Sequence, residues 1–262
     1  MKRLLIAMAA LLPAWTATTA QENSDGGDYR VRVGLGAQLE PEYIGSDNHN
    51  LGPYFKVSVA RGSDLFKVNS PDDHLGIALI KKNGFSFGPG ANIESSRKDS
   101  DVGAPLGKVK TTVEAGIFAQ YLAKDDVFRL RGEVRKGLGG HDGIVGSVGA
   151  DKIWRKGDDY VVTLGPRLLF SDADYQRAYF GVTPSAALAT GLPVYRPSGG
   201  IYGIALASGV TYQLGPRLGL FGYARYERLV GDAAKSPVVR ELGSRNQPSG
   251  GIGLSYIFNV RR

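Results

Sequence analysis

Apolar and polar residues alternate with a period of two through most of this chain. Between residues 127 and 137, for example, Phe128, Leu130 and Val134 each stand next to a charged or small residue. A period of two places each set on one face of an extended strand. The same alternation predicts about twelve strands, at residues 29–39, 51–60, 64–69, 74–80, 85–94, 109–122, 127–137, 143–154, 159–170, 201–213, 217–229 and 249–259.

The alternation alone does not say which face of the sheet is buried, but the lengths of the connections do. Every second connection is a tight turn, at 61–63, 81–84, 123–126, 155–158 and 214–216. The connections between them include four long loops, at 40–50, 95–108, 171–200 and 230–248, with shorter ones at 70–73 and 138–142. Turns at one end and loops at the other are typical of an outer-membrane barrel, whose apolar face meets lipid and whose polar face lines the lumen. The predicted fold class is therefore all-β: a transmembrane antiparallel up-and-down β-barrel with short periplasmic turns and long extracellular loops.

The first twenty residues have the order of a secretory signal peptide. Lys2 and Arg3 precede an apolar stretch, and small residues ending at Ala20 precede a cut before Gln21. Pro13 interrupts this stretch, which is too short to span a bilayer as a helix. We predict a signal peptide at residues 1–20, one barrel domain at 21–262, and a location in the outer membrane of a Gram-negative bacterium.

Composition narrows the chemistry of the 262-residue chain. It contains no cysteine, which removes thiol catalysis, iron–sulfur clusters and cysteine zinc sites. Its formal net charge of +7 is consistent with contact to anionic lipid headgroups or polysaccharide, and equally with a basic barrel interior. No feature predicts nucleic-acid binding.

A search for catalytic or metal-binding patterns finds none. The three histidines, His49, His74 and His141, do not stand at metal-ligand spacing, and no Gly-x-Ser-x-Gly motif is present. The glycines flanking Leu35 lie inside a predicted strand, so dinucleotide binding has no support. Carboxylates such as Asp172, Asp174 and Glu227 are too scattered to define a catalytic pair. We expect no enzyme activity and no cofactor or metal.

The charged face of the strands predicts the lining of the lumen. Ten candidate lumen charges stand on it: Arg30, Arg32, Lys56, Lys110, Glu114, Arg129, Arg131, Glu133, Arg135 and Arg167. Rings of arginine can filter anionic solutes, whereas mixed arginine and glutamate can pair across strands and block the lumen. A barrel of twelve strands lies between small filled barrels and wide porins, and we favour a narrow or occluded lumen.

The order of several motifs resembles the MipA/OmpV family of outer-membrane proteins. The motifs are Asp174-Tyr175, Tyr179-Phe180-Gly181-Val182-Thr183, Gly191-Leu192-Pro193, Gly199-Gly200, Gly231-Asp232-Ala233-Ala234-Lys235-Ser236-Pro237-Val238-Val239, Gly243-Ser244 and Gly253-Leu254-Ser255-Tyr256-Ile257-Phe258. The region from Gly34 to Ser46 and the tripeptide His141-Asp142-Gly143 also fit, so the resemblance covers nearly all of the mature chain. The chain departs from the family's terminal aromatic residue, because four residues ending in Arg261 and Arg262 follow Phe258.

The resemblance implies a scaffold that joins a lytic transglycosylase to a penicillin-binding murein synthase in peptidoglycan remodelling. Other family members are viewed as routes for small solutes or antibiotics and as surface antigens or adhesins. The expected partners are therefore outer-membrane lipid and lipopolysaccharide, together with these cell-wall enzymes. The alternatives are a narrow uptake channel and an adhesin or receptor that uses the loops 171–200 and 230–248. The family carries no catalytic residue to transfer.

Overall fold

The computed structural model describes residues 28–260, so the predicted signal peptide lies outside the described residues. The strands are β1 Tyr29–Pro41, β2 His49–Arg61, β3 Leu75–Gly76, β4 Ile80–Lys82, β5 Phe85–Glu94, β6 Thr112–Leu122, β7 Phe128–Leu138, β8 Ile144–Lys156, β9 Tyr160–Ser171, β10 Gly200–Gln213, β11 Leu218–Leu229 and β12 Asn246–Val260. The helices are α1 Asp99–Val102, α2 Ala173–Phe180, α3 Pro184–Thr190, α4 Gly231–Lys235 and α5 Pro237–Glu241, with a 3-10 turn at Lys124–Asp126.

All the strands form one antiparallel sheet that is a β-barrel, as predicted. The order is β2-β1-β12-β11-β10-β9-β8-β7-β6-β5-β3, and β4 also pairs with β5. β1 pairs with β12 over eleven positions, from Tyr29 opposite Val260 to Leu39 opposite Gly250, so the two ends of the described chain are neighbours in the wall. Within residues 28–260 no backbone ladder joins β2 to β3, and the seam of the barrel lies there.

The exposure of the side chains shows which face of the sheet is outside. Apolar residues such as Leu35 and Val57 are 60% and 63% exposed on the outer face. Charged residues on the opposite face, such as Arg129 and Glu114, are each 1% exposed. A soluble sandwich has the reverse arrangement, whereas a membrane barrel turns its apolar face to lipid. The barrel therefore contacts outer-membrane lipid with its apolar outer face.

The two ends of the barrel differ as the connection lengths predict. The tight turns between β4 and β5, β6 and β7, β8 and β9, and β10 and β11 lie at the end that holds Tyr29 and Val260, which is the periplasmic end. The longer connections lie at the opposite, extracellular end. Residues 109–111 are not part of β6, because Val109 pairs with Arg97 inside the preceding loop.

The predicted strand 64–69 is wrong. Residues 62–74, which we call the luminal segment, form no strand and run through the inside of the barrel. Phe66 packs against Ala60 and Ile257 and lies over the inward guanidinium of Arg32, 4.1 Å from the ring centroid. Further along, Ser70 Oγ donates to Asp151 of β8 on the far wall, at 2.9 Å. Only a segment inside the barrel can reach inward side chains of both walls, so the predicted third wall strand fills the lumen instead.

The predicted strand 74–80 is present but interrupted. β3 and β4 both pair with β5, and between them Ile77 and Leu79 donate backbone hydrogen bonds to Pro89 and Phe87. Residues 75–82 therefore act as a single interrupted strand of the wall, next to the seam.

The extracellular loops pack into a folded cap over the barrel. The cap consists of residues 42–48, 95–111, 139–143, 172–199 and 230–245. Its helix α2 is capped by Asp172, whose side chain accepts from Tyr175 N at 3.0 Å, and α3 begins with Thr183 and Pro184. Buried apolar residues including Phe180 and Val239 form its core. In the described part of the chain, no helix has the length and apolar character needed to cross a membrane.

Hydrogen bonds between loops brace the cap. Arg97, which is 2% exposed, donates to the carbonyls of Tyr179 at 2.8 Å and Gly107 at 2.9 Å. Ser236 Oγ donates to the carbonyl of Phe180 at 2.7 Å. Buried backbone carbonyls need such partners, so these bonds fix the loops relative to each other.

Candidate functional site

The lumen is the candidate functional site, because it gathers most of the residues singled out from the sequence. Six of the ten are buried: Arg32, Glu114, Arg129, Glu133, Arg135 and Arg167. Three are partly buried: Arg30, Lys56 and Arg131. Lys110 does not join them, since it is exposed in the loop before β6. The period-two register breaks before Thr112, which is why the pattern places Lys110 on the wrong surface.

A first cluster of charges fixes the luminal segment to the wall. Arg167 donates to both oxygens of Asp72, at 2.7 and 3.0 Å, and Arg129 donates to both oxygens of Asp73. Asp151 of β8 accepts from both arginines at 2.8 Å. Two-pronged bonds between arginine and carboxylate are among the stronger polar contacts in proteins. The luminal segment is therefore held by two-pronged bonds between arginine and aspartate, which we call the charged forks, and not by backbone hydrogen bonds to a neighbouring strand.

A second cluster lies nearer the cap. Glu114 accepts from Arg135 Nε at 2.8 Å, and Arg135 also pairs with Glu133. The ring of His141 lies 3.0 Å from Glu114, and the ring of His74 contacts Glu133. The cluster thus joins β6 and β7 to the luminal segment and to the cap. Arg131 stacks on Phe118, with 4.3 Å between the guanidinium carbon and the ring centroid.

A third group lies toward the periplasmic end. Arg30 pairs with Asp158 at 3.1 Å, and Asp158 also accepts from Phe66 N at 3.1 Å. Across the lumen, Lys56 Nζ donates to Thr211 Oγ1 at 2.7 Å. Both ends of the luminal segment are therefore tied to the wall.

The luminal segment separates two cavities. The upper chamber lies between the segment and the cap, has a volume of about 690 Å³, and is lined by residues that include Asp72, Tyr179 and Glu227. The lower chamber has a volume of about 430 Å³ and is lined by Arg32, Lys56 and residues 66–71 and 73–76. Pro71, Asp73 and His74 of the luminal segment line both chambers.

Sequence reasoning missed the acidic partners in this site. Asp72 and Asp73 fall in what the pattern indicates is a short turn, and Asp151 lies in a strand without a distinguishing motif. The two adjacent aspartates after Pro71 are a sequence signal for this segment, because the predicted lining of the lumen is rich in arginine and needs acidic partners. His74 and His141 are also in the network, but as partners of carboxylates. Among the described residues, no three His, Cys, Asp or Glu side chains are grouped to hold a metal ion.

The fold and the lumen define an outer-membrane β-barrel whose interior holds a segment of its own chain. Residues 33–258 match the sequence profile of the family described as MltA-interacting protein MipA. The chain belongs to the MipA family. A comparison with curated protein sequences finds no match.

Solved structures give weaker likenesses. An outer-membrane channel from Pseudomonas putida F1 is 11% identical, with a TM-score of 0.43, over 90% of this chain and 97% of that one. The outer-membrane channel DcaP of Acinetobacter baumannii is 8% identical, with a TM-score of 0.39, over 92% and 100% of the two chains. Neisserial surface protein A is 12% identical, with a TM-score of 0.26, over 89% and 97%. Likenesses this low carry no inference about what the present chain does.

Proposed function

We propose that this protein is a non-enzymatic scaffold of the outer membrane that binds murein-processing enzymes at its periplasmic end. The observation that carries the proposal is the luminal segment inside the barrel, bonded to Arg129 and Arg167. On this proposal the segment fills the lumen, and the two ends of the barrel are its working surfaces. The description of the family as MltA-interacting supports a protein partner, and a lytic transglycosylase together with a penicillin-binding murein synthase is the partner pair that the resemblance implies.

The periplasmic end has a charge character suited to a protein contact. Exposed bases lie on its turns and on the strand ends beside them, at Arg61, Lys81, Lys82, Lys124, Lys156 and Arg217. The exposed acids among the described residues at this end are Asp28, Asp64, Asp125 and Asp159. We call this surface the basic rim. A specific interface buries at least about 1,000 Å² in total, so a partner must contact several of these turns at once.

Binding to a purified lytic transglycosylase and a murein synthase, with the barrel in detergent micelles, tests this proposal. We expect the triple variant K81E/K82E/K124E to weaken binding at least tenfold, because charge reversal at a rim slows association and adds repulsion. The matched control is K98E/K108E/K235E, which reverses three exposed lysines on the cap and leaves binding unchanged. Failure of the unaltered protein to bind either enzyme contradicts the scaffold proposal.

A second candidate function is a channel that opens when the luminal segment moves. Its specific support is that chambers lie on both sides of a segment held by side chains. In that case the bonds of Asp72 and Asp73 to arginine hold the channel closed. Conductance across a planar bilayer distinguishes this candidate from the scaffold. The adhesin hypothesis stays a prediction, tested by deletion of the cap loops.

A further inference from the structure

One edge of β2 has no partner strand. β2 pairs with β1 along its whole length, from His49 opposite Pro41 to Arg61 opposite Tyr29. On the side of β2 that faces the seam, no backbone hydrogen bond within residues 28–260 joins it to residues 75–94. A tilted strand of about 9–11 residues crosses the bilayer, so the open edge of β2 lies at the depth of the hydrocarbon core.

The lower chamber explains how such an edge is tolerated. Unpaired backbone groups that face hydrocarbon cost several kcal/mol each, whereas those that line a water-filled cavity bond to water. The lower chamber is lined by residues 54–58 of β2 and, across the seam, by Leu75 and Gly76. Its far side is formed by Thr163 of β9 and Thr211 of β10. Because both borders of the seam line one cavity, the chamber reaches from the lumen to the gap in the wall.

Apolar side chains stand on both borders of the seam and face the bilayer. Val57 on β2 is 63% exposed, and Leu75 and Leu79 on the other border are 79% and 72% exposed. Leu51 and Phe55 extend the same apolar surface along β2. A hydrocarbon chain can therefore lie in the gap without leaving apolar surroundings.

Behind the apolar borders, the chamber holds two bases without acidic partners. Lys56 Nζ donates to Thr211 Oγ1 at 2.7 Å, and Arg32 Nη2 donates to Gln213 Oε1 at 3.3 Å. Both acceptors are neutral, and neither base forms an ion pair within residues 28–260. The carboxylate of Asp158 is bonded instead to two other arginines. Because buried charges are normally paired, Lys56 and Arg32 leave an unbalanced positive charge in this part of the lumen.

The lining of the lower chamber as a whole is basic. Four bases belong to it: Arg32, Lys56, Lys67 and Arg131. The one carboxylate among its described lining residues is Asp73, which is already bonded to Arg129. The chamber therefore favours an anion over a cation or a neutral polar molecule.

The two sides of the seam select different parts of a ligand. The apolar borders suit a hydrocarbon chain, and the bases behind them suit an anionic group. A soluble anion makes no use of the borders, and a neutral lipid makes no use of the bases. The chamber volume of about 430 Å³ lies in the lower part of the roughly 300–1,000 Å³ range of small-molecule sites, which suits a head group with one chain better than a lipid with several.

We infer that the seam is a lateral opening through which an anionic amphiphile with a single hydrocarbon chain enters from the bilayer. Its head group binds Lys56 and Arg32 in the lower chamber, and its chain lies between the borders formed by Val57 and Leu75. The inference does not rest on the scaffold function, because the seam lies in the wall of the barrel and the basic rim lies at its periplasmic end.

Photo-crosslinking of the full-length protein in neutral detergent micelles tests the inference, with a diazirine derivative of myristate as the probe. We expect saturable labelling that mass spectrometry maps to residues 51–59 and 75–80. Unlabelled myristate competes, whereas acetate, which lacks the chain, and myristyl alcohol, which lacks the charge, do not. Lys56→Gln lowers the affinity about tenfold, the effect expected from the loss of one bond to a charged group. Lys152→Gln removes an exposed base on the outer face of β8 and leaves the affinity unchanged.

A charge placed on the border of the seam provides a second test. Leu75→Glu puts a negative charge at the opening, so we expect weaker labelling by the myristate probe. Val134→Glu puts the same charge on the outer face of β7, where the wall is continuous, and leaves labelling unchanged. Heat-modifiable mobility on gels establishes that each variant is a folded barrel.

Four results overturn the inference: absence of saturable labelling, equal competition by acetate or myristyl alcohol, equal loss in a variant and its control, and dimers of the barrel joined through the open edge of β2. The enzyme-binding assay of the basic rim is unaffected by any of these outcomes.

Discussion

The charged forks at Asp72 and Asp73 provide the sharpest test of how the lumen is held closed. Replacing both by asparagine keeps their shape but removes the negative charges that Arg167 and Arg129 bind. The luminal segment then keeps weaker bonds, including the one from Ser70 to Asp151 and the contact of His74 with Glu133. We expect the double variant to populate a state in which the segment leaves the centre of the lumen.

The structure sets the size of the effect. Hydrogen bonds to charged groups contribute about 1.5–3 kcal/mol each in net terms. Both arginines keep Asp151, so neither becomes a buried charge without a partner, and the larger penalty of about 3–5 kcal/mol does not apply. Each asparagine keeps one accepting oxygen, so each replacement loses one of the two charged bonds at that position. At about 1.5 kcal/mol for each lost bond, a total of about 3 kcal/mol raises the population of the displaced state roughly a hundredfold.

Single-channel recording in planar bilayers measures this change directly. We expect D72N/D73N to show open events about a hundred times as often as the unaltered protein at equal protein load. The matched control is Asp174→Asn, which breaks the exposed pair with Arg177 on α2; an exposed pair is worth about 1 kcal/mol or less, so the control stays closed. Heat-modifiable mobility on gels establishes that each variant is a folded barrel.

Folded D72N/D73N barrels that stay as silent as the unaltered protein refute this reasoning. The packing of Phe66 between Ala60, Ile257 and the arginines of β1 then holds the segment by itself. If the unaltered protein already conducts steadily, the occluded lumen itself is contradicted.

Three further predictions concern the cap. Gly143→Ala places a Cβ 2.3 Å from Tyr175 N, so we expect α2 to shift and the loop 172–199 to be cut faster by protease, with β-sheet circular dichroism unchanged. Burial raises the pKa values of Tyr175 and Tyr179, because it disfavours the charged tyrosinate. The neutral phenols therefore contribute to the stability of the cap below about pH 10, and this contribution is lost as the pH rises through the folded-state pKa values. Tyrosinate absorbance then lags behind that of free tyrosine until the cap opens, and a titration without a lag contradicts this. Bonds from Ser198 lower the pKa of Asp232. The ionised carboxylate therefore contributes to the stability of the loop above about pH 4, and this contribution is lost below it. We expect Asp232→Asn to abolish any acid-dependent loosening of the loop at residue 198.

Local patterns in the sequence predict nearly all of the wall. The ranges 85–94 and 201–213 match β5 and β10 almost to the residue, because alternation is a property of each strand alone. The signals for α2 and α3 are also local, in the capping side chains of Asp172 and Thr183 and the left-handed Gly191, although both helices lie within the predicted loop 171–200. The inward charges of β7, from Arg129 to Arg135, follow from the same alternation.

The sequence by itself determined that the chain forms strands with one apolar and one charged face, and the lengths of its connections determined that the barrel has a turn end and a loop end. Only the tertiary structure decided that residues 62–74 lie inside that barrel. Phe66, Val68 and Ser70 do alternate with exposed neighbours, so the pattern of an extended segment was correct. Alternation, however, carries no information about which partner an extended segment takes. That choice depends on Asp72 and Asp73 meeting arginines from strands more than fifty residues away, and such pairings exist only once the wall has closed around them.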